Sequence, residues 1–245
     1  MTFTLVVPTL NEIHGMKEIM PRVKKEWFDQ ILILDGGSKD GTVEYALEQG
    51  YEVHHQKNRG LRKGLIEAFE KVRGDVMITF SPDGNSIPEI LPDLIAKMEE
   101  GYDMVIVSRY KDGAKSLDDT FLTRIGNWAF TALISCFGFR YTDAMVIYRA
   151  YKRSMVEELG IPKLRSKFYE KHVGRFVSWE PQLSIRAAKQ RKKIAEIPGD
   201  EPRRVDGFEV DIGTGMFLPN SRIRHFRVGF ACLCLIADEM FRRTY

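Results

Sequence analysis

The sequence predicts an α/β fold built on one mixed, mainly parallel sheet with helices on both of its faces. Three observations carry that expectation. Short β-branched or apolar runs alternate with segments of helical length through the first 110 residues, which is the spacing of βαβ units. The 245 residues are 44% hydrophobic and 29% charged, enough apolar material for one sizeable domain with a conventional core. No internal repeat or low-complexity tract interrupts the pattern.

Taken in order, the strand-like runs are 3–7, 31–34, 51–54, 76–80 and 104–107, with helical-length segments at 12–25, 41–49, 60–72 and 89–99 between them. Right-handed crossovers would place those helices on both faces of the sheet. Beyond 110 the order changes: a helix over 118–137, the stretch 143–149, a helix near 151–159, a basic helix within 176–198 and a strand at 194–197. After Pro198 the composition turns to loop, and a last helical segment covers about 226–243. We therefore expect a domain over 1–205 and a tail over 206–245 carrying an amphipathic helix. Its apolar block, Val228 to Ala237, has Arg222, Arg224 and Arg227 before it and Arg242 and Arg243 after it. Such a helix suits a core contact, a second copy of the chain in a homodimer, or the surface of a membrane.

Composition excludes some classes. A net charge of +3 gives no reason to expect a nucleic-acid partner. Cys136, Cys232 and Cys234 are an odd count without metal-ligand spacing, as suits a reducing cytosol. A strand-like run begins at residue 3 with no signal-peptide pattern before it. No apolar stretch reaches the roughly 18–20 residues of a spanning helix. The expected location is cytoplasmic, either soluble or peripheral on the inner face of a membrane. Arg186, Lys189, Arg191, Lys192 and Lys193 form a basic run that reads as a solvated face, or as a contact for anionic lipid.

Ligands of such sheets sit beyond the carboxyl ends of the strands, so five loops matter: Pro8 to Glu12, Asp35 to Thr42, Asn58 to Gly60, Ser81 to Asn85 and Ser108 to Tyr110. Each also has a plain structural reading as a turn or helix cap. Asp35 could accept a hydrogen bond from a nucleobase ring N–H. Gly60 and Gly64 bracket Arg62 and Lys63 at a helix start, where basic groups and backbone amides attract phosphate. This stretch matches neither the Gly-x-Gly-x-x-Gly fingerprint nor a Walker A loop. In Ser81-Pro82-Asp83-Gly84-Asn85, one carboxylate and one carboxamide either shape a turn or hold a metal ion. His54 and His55 read as structural.

Together these loops, in this order and spacing, resemble family 2 glycosyltransferases over roughly residues 3–205. Ser108-Arg109-Tyr110, Thr123 to Asn127, Asp143 to Arg149, Glu196-Ile197-Pro198 and Arg203 or Arg204 are most similar to the dolichol-phosphate (polyprenyl-phosphate) mannosyltransferase branch. The resemblance implies the GT-A fold, a Rossmann-like nucleotide-diphospho-sugar transferase, and inversion at the anomeric carbon. It implies that Pro8, Asn11, Glu12, Asp35, Gly37, Ser38, Gly60 and Lys63 border the donor nucleotide, with Arg203 or Arg204 at its phosphates. Asp83 falls on the second acid of the family's Asp-x-Asp motif and Asn85 on its frequent helper, so these would hold Mg²⁺ or Mn²⁺. Ser81 replaces the first acid, and Gly36 replaces the second acid of the pair common in the first donor loop. Arg109 and Arg124 match positions near the acceptor phosphate.

A nucleoside diphosphate gathers negative charge as the glycosidic bond breaks, and a divalent cation or fixed cationic groups must stabilise it. One Asp with Asn85 suffices for such a cation when diphosphate and water supply the other oxygens. A phosphate acceptor arrives ionised and needs no strong base. A hydroxyl acceptor needs one, for which Asp143 is the candidate, ahead of Asp118 and Asp119. The expected partners are therefore a GDP- or UDP-sugar and a polyprenyl phosphate. The alternatives are a sugar-hydroxyl acceptor in polysaccharide or glycoconjugate synthesis, or a subunit that binds nucleotide-sugar without transferring it.

Overall fold

The computed structural model describes residues 1–163, 167–205, 210–211, 216–217 and 222–242, with side chains described at 1–163, 169–205 and 226–242. Seven strands form its main sheet: β1 (Phe3–Thr9), β2 (Gln30–Asp35), β3 (Glu52–His55), β4 (Val76–Thr79), β5 (Met104–Ser108), β6 (Arg149–Lys152) and β7 (Ile194–Pro198). Their order is β3-β2-β1-β4-β6-β5-β7, and every pair is parallel except those of β6, which runs antiparallel to β4 and β5. Two short strands, β8 (Val210–Asp211) and β9 (Met216–Phe217), pair separately. The helices are α1 (Ile13–Glu18), α2 (Thr42–Glu48), α3 (Leu61–Phe69), α4 (Leu91–Glu99), α5 (Phe121–Ser135), α6 (Arg153–Glu158), α7 (Lys167–His172), α8 (Glu180–Lys189) and α9 (Arg222–Phe241).

Successive strand residues point to opposite faces, so each buried strand supplies two cores. Val6, Leu32, Leu34, Met104 and Ile106 enter one with side chains of α3, α5, α6, α8 and α9. Leu5, Val7, Ile31, Ile33, Val105 and Val107 enter the other with Met16, Ala46, Leu91 and Leu94 from α1, α2 and α4. Helices thus lie on both faces, as expected.

Two local departures have plain causes. The helix expected over 12–25 stops at Glu18, because Pro21 lacks an amide hydrogen and the chain continues as 3-10 turns at Met20–Arg22 and Lys25–Trp27. The four-residue strand β6 was not expected at all. The sequence predicts Tyr151 and Lys152 within a helix near 151–159, and that helix starts at Arg153. A segment that short carries no usable period, and its pairing with both β4 and β5 is long-range.

The tail helix is part of the domain. Ala231, Cys232, Leu235 and Ile236 of α9 are buried in the core. Its buried Glu239 accepts hydrogen bonds from Arg186 Nε at 3.0 Å, Arg186 Nη2 at 2.7 Å and Gln182 Nε2 at 2.7 Å. The basic run is therefore largely tied to neighbouring groups of the fold, with Arg186 buried and the rest at or near the surface. Lys189 Nζ donates to the carbonyls of Glu239 and Arg242, both at 2.7 Å, Lys192 pairs with Glu158, and Lys193 Nζ reaches Glu100 O at 3.0 Å. Among the described residues Arg191 shows no such tie, and both Arg191 and Lys193 stay exposed. The side chains of Arg222 and Arg224, residue Arg243 and most of 206–221 lie outside the described residues. Among the described residues no helix is long and apolar enough to cross a membrane.

Strand order places the site. The chain steps outward from β1 to β2 and β3, then returns to β4 on the other side of β1. This reversal opens a crevice at the carboxyl ends of β1 and β4. All five predicted loops lie on that edge. Parallel β7 delivers 199–205 there, and antiparallel β6 starts there, bringing in the stretch that precedes it.

Candidate functional site

The first two loops are tied into one wall. Asn11, in the left-handed region at φ 56°, donates its amide to Ser38 Oγ at 2.9 Å and accepts from Lys39 N through Oδ1 at 2.8 Å. Glu12 N donates to Thr42 Oγ1 at 2.9 Å, and Ile13 N to Asp40 Oδ2 at 3.0 Å. Burial would raise the pKa of Asp40, but hydrogen bonds from the Thr42 hydroxyl and the Ile13 and Thr42 amides outweigh it and lower it. Pro8 lies in β1 opposite Leu34. Buried Asp35 accepts from the amides of Gly37 and Ser38, each at 3.0 Å, and lies 3.1 Å from His55 Nδ1. After β3, Gly60 at φ 108° caps α3, and Lys63 follows within its first turn. Arg62 turns inward, its Nη1 2.7 Å from Gln182 Oε1 and its Nε 3.4 Å from Glu170 Oε1.

The Asp83 turn is clamped from both sides. A Cβ on Gly15 would stand 2.2 Å from Pro82 O, so α1 approaches the turn as only glycine allows. On the other side, Val205 N donates to Asp83 O at 2.9 Å. Asp83 Oδ1 accepts from Asn85 N at 3.0 Å. Asn85 Nδ2 donates to Asp118 Oδ2 at 3.2 Å, while its buried Oδ1 has no hydrogen-bond partner among the described residues. Arg204 Nε lies 3.3 Å from Asp118 Oδ2 and 3.8 Å from Asp83 Oδ2; Arg203 is exposed. No cluster of three or more His, Cys, Asp or Glu side chains suits a metal among the described residues. Asp83 and the unpartnered Asn85 oxygen nevertheless fit Mg²⁺ or Mn²⁺, hard cations that draw much of their coordination from phosphate and water.

The third group joins two residues expected to act separately. Arg109 binds fully buried Asp143 with two prongs, Nε to Oδ2 at 2.6 Å and Nη2 to Oδ1 at 3.1 Å. Its Nη1 also lies 3.3 Å from each Glu201 carboxylate oxygen. Burial would lower the Arg109 pKa, but the facing charge of Asp143 and then Glu201 hold it well above its usual value. Burial raises the Glu201 pKa despite Arg109 and the Ser116 hydroxyl. Glu196 accepts from Thr142 N at 2.9 Å and Asp143 N at 3.0 Å, fixing the loop that presents Asp143. Tyr110 OH donates to Asp119, and Asn127 Nδ2 reaches that hydroxyl at 3.3 Å. Arg124 is exposed on α5, where it lines a shallow cleft of about 340 Å³ with Phe121, Ile125 and Trp128.

Comparison with known proteins decides the family. The family model described as Glycosyl transferase family 2 matches residues 4–160, more than half of the chain. The chain belongs to glycosyl transferase family 2. It is 32% identical over 200 residues to an uncharacterized protein, MJ1222, of Methanocaldococcus jannaschii, covering 79% of each chain. It is 25% identical over 218 residues to the UDP-N-acetylglucosamine--dolichyl-phosphate N-acetylglucosaminyltransferase of Methanococcus voltae, covering 79% of this chain and 83% of that protein. Of some other curated relatives it spans only half the length or less. In structure it is similar to glucosyl-3-phosphoglycerate synthase of Mycobacterium tuberculosis, crystallised with Mn²⁺, UDP and phosphoglyceric acid. The TM-score is 0.70 at 16% identity, covering 99% of this chain and 79% of that one. That likeness confirms the GT-A fold.

This family 2 glycosyltransferase thus gathers most of its predicted site residues on one sheet edge. The structure adds Asp118, Glu201 and His55. Asp118, which the sequence places behind Asp143 as a candidate base, bridges Asn85 and Arg204. Glu201 sits in Gly199-Asp200-Glu201-Pro202 after β7, and an acid held between Gly and Pro at a strand end was the available signal. His55, a structural residue in the sequence reading, lies at the end of β3 against Asp35.

Proposed function

We propose that this glycosyltransferase moves a sugar, with inversion, from a nucleoside-diphosphate donor to a polyprenyl phosphate. The observation that carries the choice of acceptor is the state of Asp143. The base named for a hydroxyl acceptor is buried and held on both oxygens by Arg109. Glu201 and Asp119 are engaged as well, by Arg109 and Ser116 and by Tyr110 and Asn127. A phosphate acceptor needs no base, and the Methanococcus voltae relative is named for a dolichyl-phosphate acceptor.

In this reading Pro8, Asn11, Glu12, Asp35, Gly37 and Ser38 border the nucleoside, and Gly60, Lys63, Arg203 and Arg204 meet the diphosphate. Asp83 and Asn85 hold Mg²⁺ or Mn²⁺, which would offset charge on the departing diphosphate. Arg124 meets the acceptor phosphate at the mouth of an apolar cleft. Asp143 acts through Arg109, orienting it towards the acceptor side. A phosphate oxygen attacks the anomeric carbon, forming one C–O bond as the C–O bond to the diphosphate breaks. The acceptor lipid is met at a membrane surface.

The test incubates the protein with a panel of nucleotide-sugars and Mn²⁺, then measures nucleoside-diphosphate release with and without polyprenyl phosphate. Release that requires the lipid is expected. No release from any donor would favour a binding subunit without transferase activity.

A further inference from the structure

We infer that α5 and α9 together form a docking face for an anionic lipid bilayer, with the exposed aromatic side chains entering the headgroup region. This deepens the proposed acceptor assignment by naming the surface through which a membrane-held lipid is reached.

Two adjacent helices expose apolar stripes. On α5, Phe121, Ile125 and Trp128 follow one another at helical spacing, and Phe121 is 82% and Trp128 72% exposed. On α9, Phe226, Phe230 and Leu233 repeat the spacing, with Phe226 78% exposed. The helices touch, with Phe130 of α5 close to Gly229 of α9. The opposite face of α9 is already committed to the core through Ala231, Cys232, Leu235 and Ile236. Over its described side chains the helix is therefore apolar on both sides, which a helix facing only water does not sustain. Contiguous exposed apolar surface of this kind marks an interaction site.

Charge selects the occupant. The sequence of α5 contains no Asp or Glu, and its exposed charge is Arg124, placed among the aromatic residues. On α9, Glu239 is buried, Asp238 pairs with Arg242 at 3.8 Å, and Arg227 is exposed. A second copy seated face to face would bring Arg124 against a helix without acids. Lipid phosphates supply the missing counter-charge, while the aromatic rings suit the interface between headgroups and acyl chains. Asn127 of the same α5 reaches Tyr110 OH, next in sequence to Arg109, at 3.3 Å, so a phosphate on a bilayer lipid would arrive beside the proposed chemistry.

The test uses vesicles of phosphatidylcholine with phosphatidylglycerol and no polyprenyl phosphate, so docking is read independently of transfer. The wild-type chain should co-float with these vesicles and bind less in high salt or on phosphatidylcholine alone. Trp128, one of three tryptophans, should shift its emission to the blue on binding, and Trp128→Phe should remove that shift. Phe226→Ser with Phe230→Ser changes exposed side chains only and should weaken partitioning by roughly tenfold for each aromatic removed. Nucleotide-sugar binding in solution should be unchanged in that double variant. Failure of the wild type to bind anionic vesicles would overturn the inference. So would a dimer, measured by light scattering, that the double variant dissociates while vesicle binding persists. Either outcome leaves the acceptor assignment to its own assay.

Discussion

Replacing Asp143 by Asn separates an acid that positions Arg109 from an acid that removes a proton. The carboxylate is fully buried and grips Arg109 with contacts of 2.6 and 3.1 Å, in a site where Arg109 itself is only 12% exposed. Breaking one half of a buried pair costs about 3–5 kcal/mol. Glu201 remains as a second partner for Arg109 at 3.3 Å, so the lower end, about 3 kcal/mol, applies. In a domain of this size each kcal/mol is worth roughly 2–4 °C, which gives a fall in Tm of roughly 6–12 °C. Thermal denaturation measures it directly, with donor titration and single-turnover transfer run in parallel at a temperature where the variant is folded. The expected result is a clear loss of stability, near-normal donor affinity and a partial loss of transfer. An unchanged Tm and donor affinity with transfer abolished would refute the positioning role and restore Asp143 as a base.

Three further outcomes follow from the same geometry. Gly15→Ala forces a methyl to 2.2 Å from Pro82 O and should destabilise by about 1–3 kcal/mol, with donor affinity falling because the Asp83 turn is displaced; calorimetry and nucleotide titration read both. Asp40→Asn should cost about 1 kcal/mol at neutral pH. The wild-type Asp40 pKa is lowered from its ordinary 3.8, so that stability is present above this value and lost as pH falls through the folded one, and urea titrations at neutral and acid pH should converge. Arg124→Ala, at an exposed position, should leave Tm and donor binding nearly unchanged. Its transfer to polyprenyl phosphate should nevertheless fall on the order of a hundredfold, as measured by steady-state kinetics.

What was legible in the sequence was what local chemistry specifies. Alternating strand and helix signals expose the parallel sheet, because fully buried strands such as β1 and β2 need continuous apolar runs. The loops were legible because each joins a strand end to a helix start. What was hidden depends on pairing across the chain. β6 owes its existence to β4 and β5 on either side, and nothing in Arg149 to Lys152 announces that. The same holds for charge partners. Arg109 and Asp143 are 34 positions apart and Arg109 and Glu201 92 apart, so spacing alone could not show that an expected base and an expected phosphate ligand neutralise each other. Arg186 looked solvated from its neighbours in sequence, yet it is buried against Glu239 of α9, 53 positions away.

The most direct measurement offers the protein two acceptors of identical chain, a polyprenyl phosphate and the corresponding free polyprenol, with the same labelled nucleotide-sugar and Mn²⁺. Recovery of label in the lipid phase reports transfer. The phosphate acceptor is already ionised, and the acids beside Arg109 are all engaged, so we expect product from the phosphate and none from the alcohol. Comparable transfer to the polyprenol would show that the site contains a working base and would contradict the account at its centre.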